Sequence, residues 1–393
     1  MSKLSEMIAT LCPNGVEYKK LGEVAEILDS KRKPVTKADR LPGPYPYYGA
    51  NGIQDYVAGY IFDGIYLLIG EDGSVITENG TPVLTWAEGK IWVNNHAHVI
   101  KELIQVDGTP RALLRYLYHS LQTVNISDVV RGTPPKLNKA NLCNICIPLP
   151  PLPVQREIVQ ILDNFANLTA ELTAELTAEL AKRKKQYEHY RDSLLNFTGG
   201  ARYDKFGIES GEFRVEWKRL GEIAEIGTGS SNTDEQLDEG KYPFFVRSQD
   251  VRWKNEYEYD ETAIITSGDG VGVGKIFHYH EGKYALHQRA YRVHVFVDQV
   301  LPKYIFYYMK NGFLSYIQKN AFQSSVTSIR KPMLLNFPIP LPPLAEQERI
   351  VAILDRFDSL CNSLTEGLPA EIALRKKQYE YYRDKLLSFK EAS

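Results

Sequence analysis

What most constrains this chain is a helix-starting motif that is written twice. NICIPLPPLPVQREIVQILDNF, Asn144 to Phe165, recurs as NFPIPLPPLAEQERIVAILDRF, Asn336 to Phe357, at an offset of 192 residues. In both copies a stiff proline-rich run leads into Gln, Ile-Val, Ile-Leu-Asp and Phe. Proline is tolerated before a helix and in its first turn but not inside it, so Pro153 and Pro343 mark two helix starts. Each half closes on a further copy, RKKQYEHYRDSLLNF from Arg183 and RKKQYEYYRDKLLSF from Arg375. Shorter matches lie upstream in the same order. Leu21-Gly22-Glu23 pairs with Leu220-Gly221-Glu222 at an offset of 199, and Tyr45-Pro46-Tyr47-Tyr48 with Tyr242-Pro243-Phe244-Phe245 at 197. Asp72-Gly73 pairs with Asp269-Gly270, again at 197. A chain that repeats over its whole length folds as two similar units, here a globular part of about 150 residues followed by a helix of about 45.

The helices carry their own pattern. Ile158, Ile161, Leu162, Phe165 and Leu168 recur at helical spacing, and Ile350, Ile353, Leu354, Phe357, Leu360 and Leu364 repeat the stripe. A helix from Val154 to Phe197 would be about 66 Å long, more than one domain of this size can cover. Its stripe needs a partner, and the other copy is the obvious one. The first helix contains TAELTAELTAEL, Thr169 to Leu180. Four residues turn through about 400°, so Leu168, Leu172, Leu176 and Leu180 lie near one face, while Glu171, Glu175 and Glu179 read as a solvated face. Gly367-Leu368-Pro369 stands where the first helix runs on uninterrupted, which predicts a kink or break. Tyr187, Tyr190, Tyr379 and Tyr382 follow the basic triplets at spacings that suit either packing on a partner helix or modification subunit or a solvated basic face along which the tyrosines snorkel.

Within the globular parts, Ile65 to Ile69, Ile91 to Val93, Ala263 to Thr266 and Arg292 to Val297 are β-rich runs bounded by Gly, Asn and Asp. Leu113 to Leu121 and Pro302 to Met309 read as short helices. The expected fold is α+β: a tandem duplication of two mixed, β-rich domains joined by two long helices forming an antiparallel coiled coil with pseudo-two-fold symmetry. The expected boundaries are 1–150 for the first domain, 151–198 for the first helix, 199–342 for the second domain and 343–393 for the second helix.

Composition excludes little beyond disorder and membrane spans. The charged fraction of 24% and hydrophobic fraction of 43% belong to a globular protein. No run approaches the length of a membrane-crossing helix and the N-terminus lacks an apolar signal core, so a cytoplasmic protein is expected. The net charge of -2 means that any nucleic-acid contact rests on local patches. Cys143 and Cys146 form a C-x-x-C pair, but Cys12 and Cys361 stand alone. Buried thiols in the strand-like run Leu142 to Ile147 are expected there, rather than zinc. The run GDGVGVGK, Gly268 to Lys275, has Asp269 where a phosphate-binding loop needs its first Gly and Ile276 where it needs Ser or Thr. It reads as strand, turn, strand.

Taken together, the PNGVEYKKLGE opening, the two differing domains, the paired PLPPL-x-x-Q-x-x-IV-x-x-LD motifs and the TAEL repeats resemble the specificity subunit of type I restriction-modification systems, in its R124-like branch. The resemblance covers the whole chain. It implies two target recognition domains, each reading one half of a split, asymmetric DNA site, with the helices setting the spacer. It implies as partners double-stranded DNA, two modification subunits that bind S-adenosylmethionine and methylate adenine N6, and two ATP-driven restriction subunits. S-adenosylmethionine, ATP and magnesium would belong to those partners, with no cofactor in this chain. The N/D-P-P-Y/F loop of amino-group methyltransferases does not occur here, so a non-catalytic subunit is expected. A free-standing DNA-binding regulator, or a nuclease or methylase acting alone, are the competing classes.

DNA contacts would then come from loops rich in side chains that reach base edges and phosphates. In the first domain the candidates are Arg32, Lys33, Tyr47, Tyr48, Asn51, Asn95, His96, Arg131, Thr133 and Lys136. In the second they are Ser231, Asn232, Arg247, Gln249, His287, Gln288, Arg289, Ser325, Thr327, Ser328 and Arg330. Matched loops carrying unmatched residues are what two readers of different sequences should show. The loop before each proline-rich run is the leading candidate. No target sequence can be read from these residues.

Overall fold

The computed structural model describes residues 3–197, 214–319, 328–362 and 367–392. It divides into two units, Met1–Glu175 with Ile372–Ser393, and Leu176–Glu371. The first unit holds α1 (Lys3–Leu11), β1 (Tyr18–Lys20), α2 (Leu21–Val24), β2 (Ala25–Ile27), β3 (Pro42–Gly49), β4 (Gly52–Val57), β5 (Phe62–Gly70), β6 (Leu84–Val93) and β7 (Ala97–Glu102). After these come α3 (Leu114–Leu121), α4 (Lys139–Cys143), β8 (Cys146–Pro148) and the start of α5 (Leu152–Leu194). The second unit takes the end of α5, then β9 (Glu216–Arg219), α6 (Leu220–Ile223), β10 (Ala224–Thr228), β11 (Tyr242–Phe245), β12 (Arg252–Lys254), β13 (Tyr259–Ser267), β14 (Phe277–Leu286) and β15 (Ala290–Val295). It continues with α7 (Pro302–Lys319), α8 (Lys331–Leu335), β16 (Pro338–Leu341), α9 (Leu344–Asn362) and the first turn of α10 (Leu368–Leu387), which ends in the first unit.

The duplication is visible in strand order. The six-stranded sheet of the first unit runs β2-β7-β5-β6-β3-β4, and that of the second β10-β15-β13-β14-β11-β12. Each is antiparallel except for one parallel pair, β3 with β6 and β11 with β14. That single pair makes both sheets mixed. A two-stranded sheet, β1 with β8 and β9 with β16, ties each unit's opening to its proline-rich run.

The central strand of each sheet is covered on both faces. In β5, Leu67 and Ile69 join a core with Leu114, Leu117 and the α5 residues Val154, Ile158 and Leu162. Tyr66 and Leu68 face a second core with Ile91, Val93 and Val99. The period-two alternation of a strand explains the split. Each unit's core is also closed by a helix end. Leu387 lies in that of the first, and Tyr187, Leu194, Leu195 and Phe197 in that of the second. In the first unit Phe165 packs on Tyr379 and Tyr382, and in the second Phe357 packs on Tyr187 and Tyr190, so these tyrosines serve helix packing.

The tail after α10 completes the first unit. The Val16 N–H donates to Lys390 O at 2.8 Å and Val16 O accepts from Ala392 N–H at 3.0 Å. Gly15 makes this approach possible. Its φ is +101°, and a Cβ there would meet Lys390 O at 2.7 Å.

The second helix breaks where Gly-Leu-Pro predicted it: α9 ends at Asn362 and α10 begins at Leu368, with Gly367 at φ +89°. Other expectations need correction. Leu168 is 63% exposed, whereas Leu172, Leu176 and Leu180 are half-buried. A four-residue repeat drifts by about 40° per unit, so one stripe cannot stay in register over three units. Leu364 lies outside the described residues. The run Leu142 to Ile147 is not one strand but the end of α4 and the start of β8, and Cys143 is half-buried with Cys146 exposed. Finally, α7 extends to Lys319, well past Met309.

Candidate DNA interface

The turn after β5 and the turn after β13 are the same structure. In the first unit Glu71 N–H donates to His96 O at 2.8 Å and Leu137 N–H to Glu71 O at 2.8 Å. In the second, Gly268 N–H donates to Arg289 O at 2.9 Å and Ile329 N–H to Gly268 O at 2.9 Å. Asp72 bridges Lys136, and Asp269 bridges Ser328. Three segments far apart in sequence thus meet at one point in each unit: the turn itself, the residues just before β7 or β15, and the loop before the proline-rich run.

At this junction several predicted residues come together. In the first unit Asn95, His96, Arg131 and Lys136 are exposed around Glu71 and Asp72. His96 Nδ1 is hydrogen-bonded to the Asp72 carboxylate, and Lys136 Nζ lies 3.5 Å from Glu71 Oε1. Thr133 is exposed in the same loop, and Asn51 is exposed at the β3–β4 hairpin turn. In the second unit Arg247 Nη1 donates to Asp269 Oδ1 at 2.8 Å and Arg289 Nη1 to Asp269 Oδ2 at 3.2 Å. Gln288 Nε2 donates to Asn232 Oδ1, and Ser328 is exposed beside them. Burial works to raise the Asp269 pKa, but the hydrogen bonds and charge of Arg247, then Arg289, hold it below the usual carboxylate range.

Other predicted residues belong to the interior. Tyr47 is fully buried, with its hydroxyl donating to Val35 O at 3.2 Å, and Tyr48 is buried beside it. Arg32 is 13% exposed and donates to Glu71 Oε2 at 2.5 Å and Ala97 O at 2.9 Å. With His98 it forms a buried network on Asp29 and Glu71, and its guanidinium supplies the cation that this carboxylate-imidazole group needs. Ser231 is buried and donates to Glu258 Oε1 at 2.5 Å. His287 is buried, accepting at Nδ1 from Arg289 N–H, and its pKa is lowered by burial first and then by the charges of Arg247 and Arg289. Sequence alone cannot separate these from their exposed neighbours, because burial depends on segments distant in the chain. Lys33 is exposed, its backbone oxygen accepting from Trp92 Nε1 at 2.6 Å. Arg330 occupies the N-cap position of α8 without a side-chain capping bond and is exposed. Gln249 lines a cavity of about 450 Å³ in the second unit with Lys184, Lys275 and Lys310. Ser325 and Thr327 lie outside the described residues.

Sequence reasoning alone misses the two aspartates as site residues. Their signal is present in the matched Asp72-Gly73 and Asp269-Gly270 pairs, which point to a shared turn but not to what its carboxylate holds.

Two copies of one mixed-sheet scaffold, each presenting different polar side chains on the same turn, define a duplicated specificity protein, one built to carry two recognition surfaces. Residues 13–182 and 214–374 each match the type I restriction modification DNA specificity domain, and the chain belongs to that family. It is 40% identical to a provisionally named type I restriction enzyme specificity subunit of Haemophilus influenzae, over 95% of this chain and 96% of that one. It is 33% identical to the EcoR124I/EcoR124II specificity subunit of Escherichia coli, over 99% of this chain and 98% of that one. The crystal structure of an S subunit from M. genitalium shares the fold at a TM-score of 0.51 and 16% identity, covering 95% of this chain and 96% of that one. A chain from a study of type I R-M complex assembly shares it at a TM-score of 0.56 and 20% identity, covering 95% and 98%.

Proposed function

We infer that this chain is the DNA sequence-recognition subunit of a type I restriction-modification complex, each unit reading one half of a bipartite, asymmetric site. The observation that carries this reading is the junction at Asp72 and Asp269: one backbone arrangement, two different sets of exposed polar residues. A scaffold that keeps its turn and changes its side chains suits two readers of two sequences. The chain itself is non-catalytic, and double-stranded DNA, two modification subunits and two restriction subunits are its partners. S-adenosylmethionine, ATP and magnesium are bound by those partner subunits, with no cofactor held by this chain. Among the described residues no helix is long and apolar enough to cross a membrane; the cytoplasm, where the DNA lies, is the proposed site of action.

The test is sequencing of methylated bases in the DNA of a host carrying this chain with its modification subunit, alongside incubation of the purified chain with DNA and S-adenosylmethionine. Methylation at one split sequence, and none by the chain alone, is expected. Methyl transfer by the isolated chain would place it among stand-alone methylases. Tight sequence-specific binding by the chain without partners, and no methylation with them, would make it a regulator.

A further inference from the structure

We propose that Asp269 is a positioning residue that presents Arg247 and Arg289 to a guanine in the half-site read by the second unit, a step that rests on the DNA-recognition reading above. Arg289 occupies the place that His96 has in the first unit: both stand immediately before the strand that starts at Ala290 or Ala97, and both bond the repeated aspartate. Arg247 follows β11 where Ala50 follows β3, as the paired registers of Phe245 with Leu286 and Tyr48 with Val93 require. The carboxylate is therefore kept between the copies and its cargo is exchanged.

The geometry favours a base edge over a phosphate. The side chains of Arg247 and Arg289 are 40% and 61% exposed, while Asp269 is 26% exposed. Each guanidinium commits Nη1 to Asp269, which leaves the rest of its planar fork of donors directed elsewhere. Guanine offers two neighbouring acceptors, N7 and O6, in the major groove, whereas adenine replaces one of them with a donor that arginine cannot satisfy. A carboxylate between two cations also weakens the pull on phosphate, which a purely electrostatic clamp would avoid. Backbone contacts hold the arrangement close. Gly268 donates to Arg289 O at 2.9 Å, and a Cβ on Gly268 would meet that oxygen at 2.4 Å. Gln288 and Asn232, bonded to each other alongside, extend the surface with amide groups able to read a neighbouring base.

The experiment uses the full chain assembled with its modification subunit and duplexes carrying each single-base change of the methylated site. Arg289→Ala and Arg247→Ala are expected to lower discrimination at one guanine by roughly 5- to 150-fold while leaving the other half-site unchanged. Replacing that guanine with 7-deazaguanine should weaken the wild type and leave the Arg247→Ala, Arg289→Ala double variant unaffected. Asp269→Ala should lose discrimination at the same base although both arginines remain, without losing affinity for non-specific duplex; Asp269→Asn, which keeps an acceptor, should fall between and serves if the alanine variant fails to fold. Uniform weakening across all sequences with a shallower salt dependence would mark phosphate contacts and overturn the proposal, as would a change at a base other than guanine or an Asp269→Ala variant that reads like the wild type. A wild-type complex with no sequence preference would instead sink the reading on which the proposal rests.

Discussion

The side-chain oxygen of Gln155 accepts a hydrogen bond from the Leu113 backbone N–H at 3.0 Å, while its amide nitrogen donates to Pro150 O at 2.8 Å. Gln347 does the same for Leu301 at 3.0 Å and Pro342 at 2.9 Å in the second unit. Both glutamines are 1% exposed. The Gln of the repeated motif thus locks each helix start to its domain, satisfying one carbonyl of the proline-rich run and the N–H of the residue that precedes α3 or α7.

Truncating Gln347 to alanine should therefore destabilise the second unit by about 1–3 kcal/mol, the cost of leaving buried backbone groups unpaired. Thermal unfolding of the full chain measures it. An unchanged transition would show that water or a shifted backbone replaces the amide.

Arg32 offers a contrast between reading DNA and holding a domain. Its side chain and those of Asp29 and Glu71 are 13%, 8% and 14% exposed. Removing the cation with Arg32→Ala leaves Asp29 with only the His98 side chain, and Glu71 with only His98 and the 3.5 Å contact to Lys136, and should cost about 3–5 kcal/mol. Lys33→Ala, at the exposed neighbour, should change stability by no more than about 0.5 kcal/mol. Denaturant titration of the two variants separates the roles; equal and small effects would return Arg32 to the interface.

His119 makes the first unit sensitive to mild acid. It is fully buried, its Nε2 lies 2.8 Å from Asp163 Oδ1 on α5, and burial lowers its pKa despite that carboxylate. The folded state then binds fewer protons than the unfolded one. The stability that depends on neutral His119 is present above the unfolded value near 6.5 and is lost as the pH falls from there through the lowered folded value. Chemical unfolding between pH 7.5 and about 5 should show falling stability, and His119→Gln should flatten that slope. A slope unaltered by the substitution would assign it to other groups.

If the helices set the spacer, as the family resemblance implies, the TAEL units act as a ruler. They lie inside the continuous helix α5 of 43 residues. Deleting Thr177 to Leu180 removes about 6 Å of helix while turning the downstream residues by only about 40°. The expected outcome is a shorter spacer between unchanged half-sites, by at most about two base pairs at 3.4 Å each. Methylated-base sequencing reads both quantities, and a changed half-site or an unchanged spacer would refute the ruler.

Much of the fold was legible because it is written in local patterns. The offsets of 192 and 197 announced two units, Pro153 and Pro343 placed the starts of α5 and α9, and Gly367 placed the break between α9 and α10. The candidate site was half legible. Asn95, His96, Gln288 and Arg289 lie on the exposed side of the repeated junction, whereas Tyr47, Arg32, Ser231 and His287, alike in chemistry, point inward.

The sequence by itself determined the duplication, the helices and the family, since periodicity, proline placement and repeated motifs are properties of neighbouring residues. Only the tertiary structure decided that Asp269 holds two arginines where Asp72 holds a histidine, and that the tail at Lys390 completes the unit begun at Val16. Ion pairs and strand contacts of this kind join segments far apart in the chain, and their partners are set by packing, which no local pattern records.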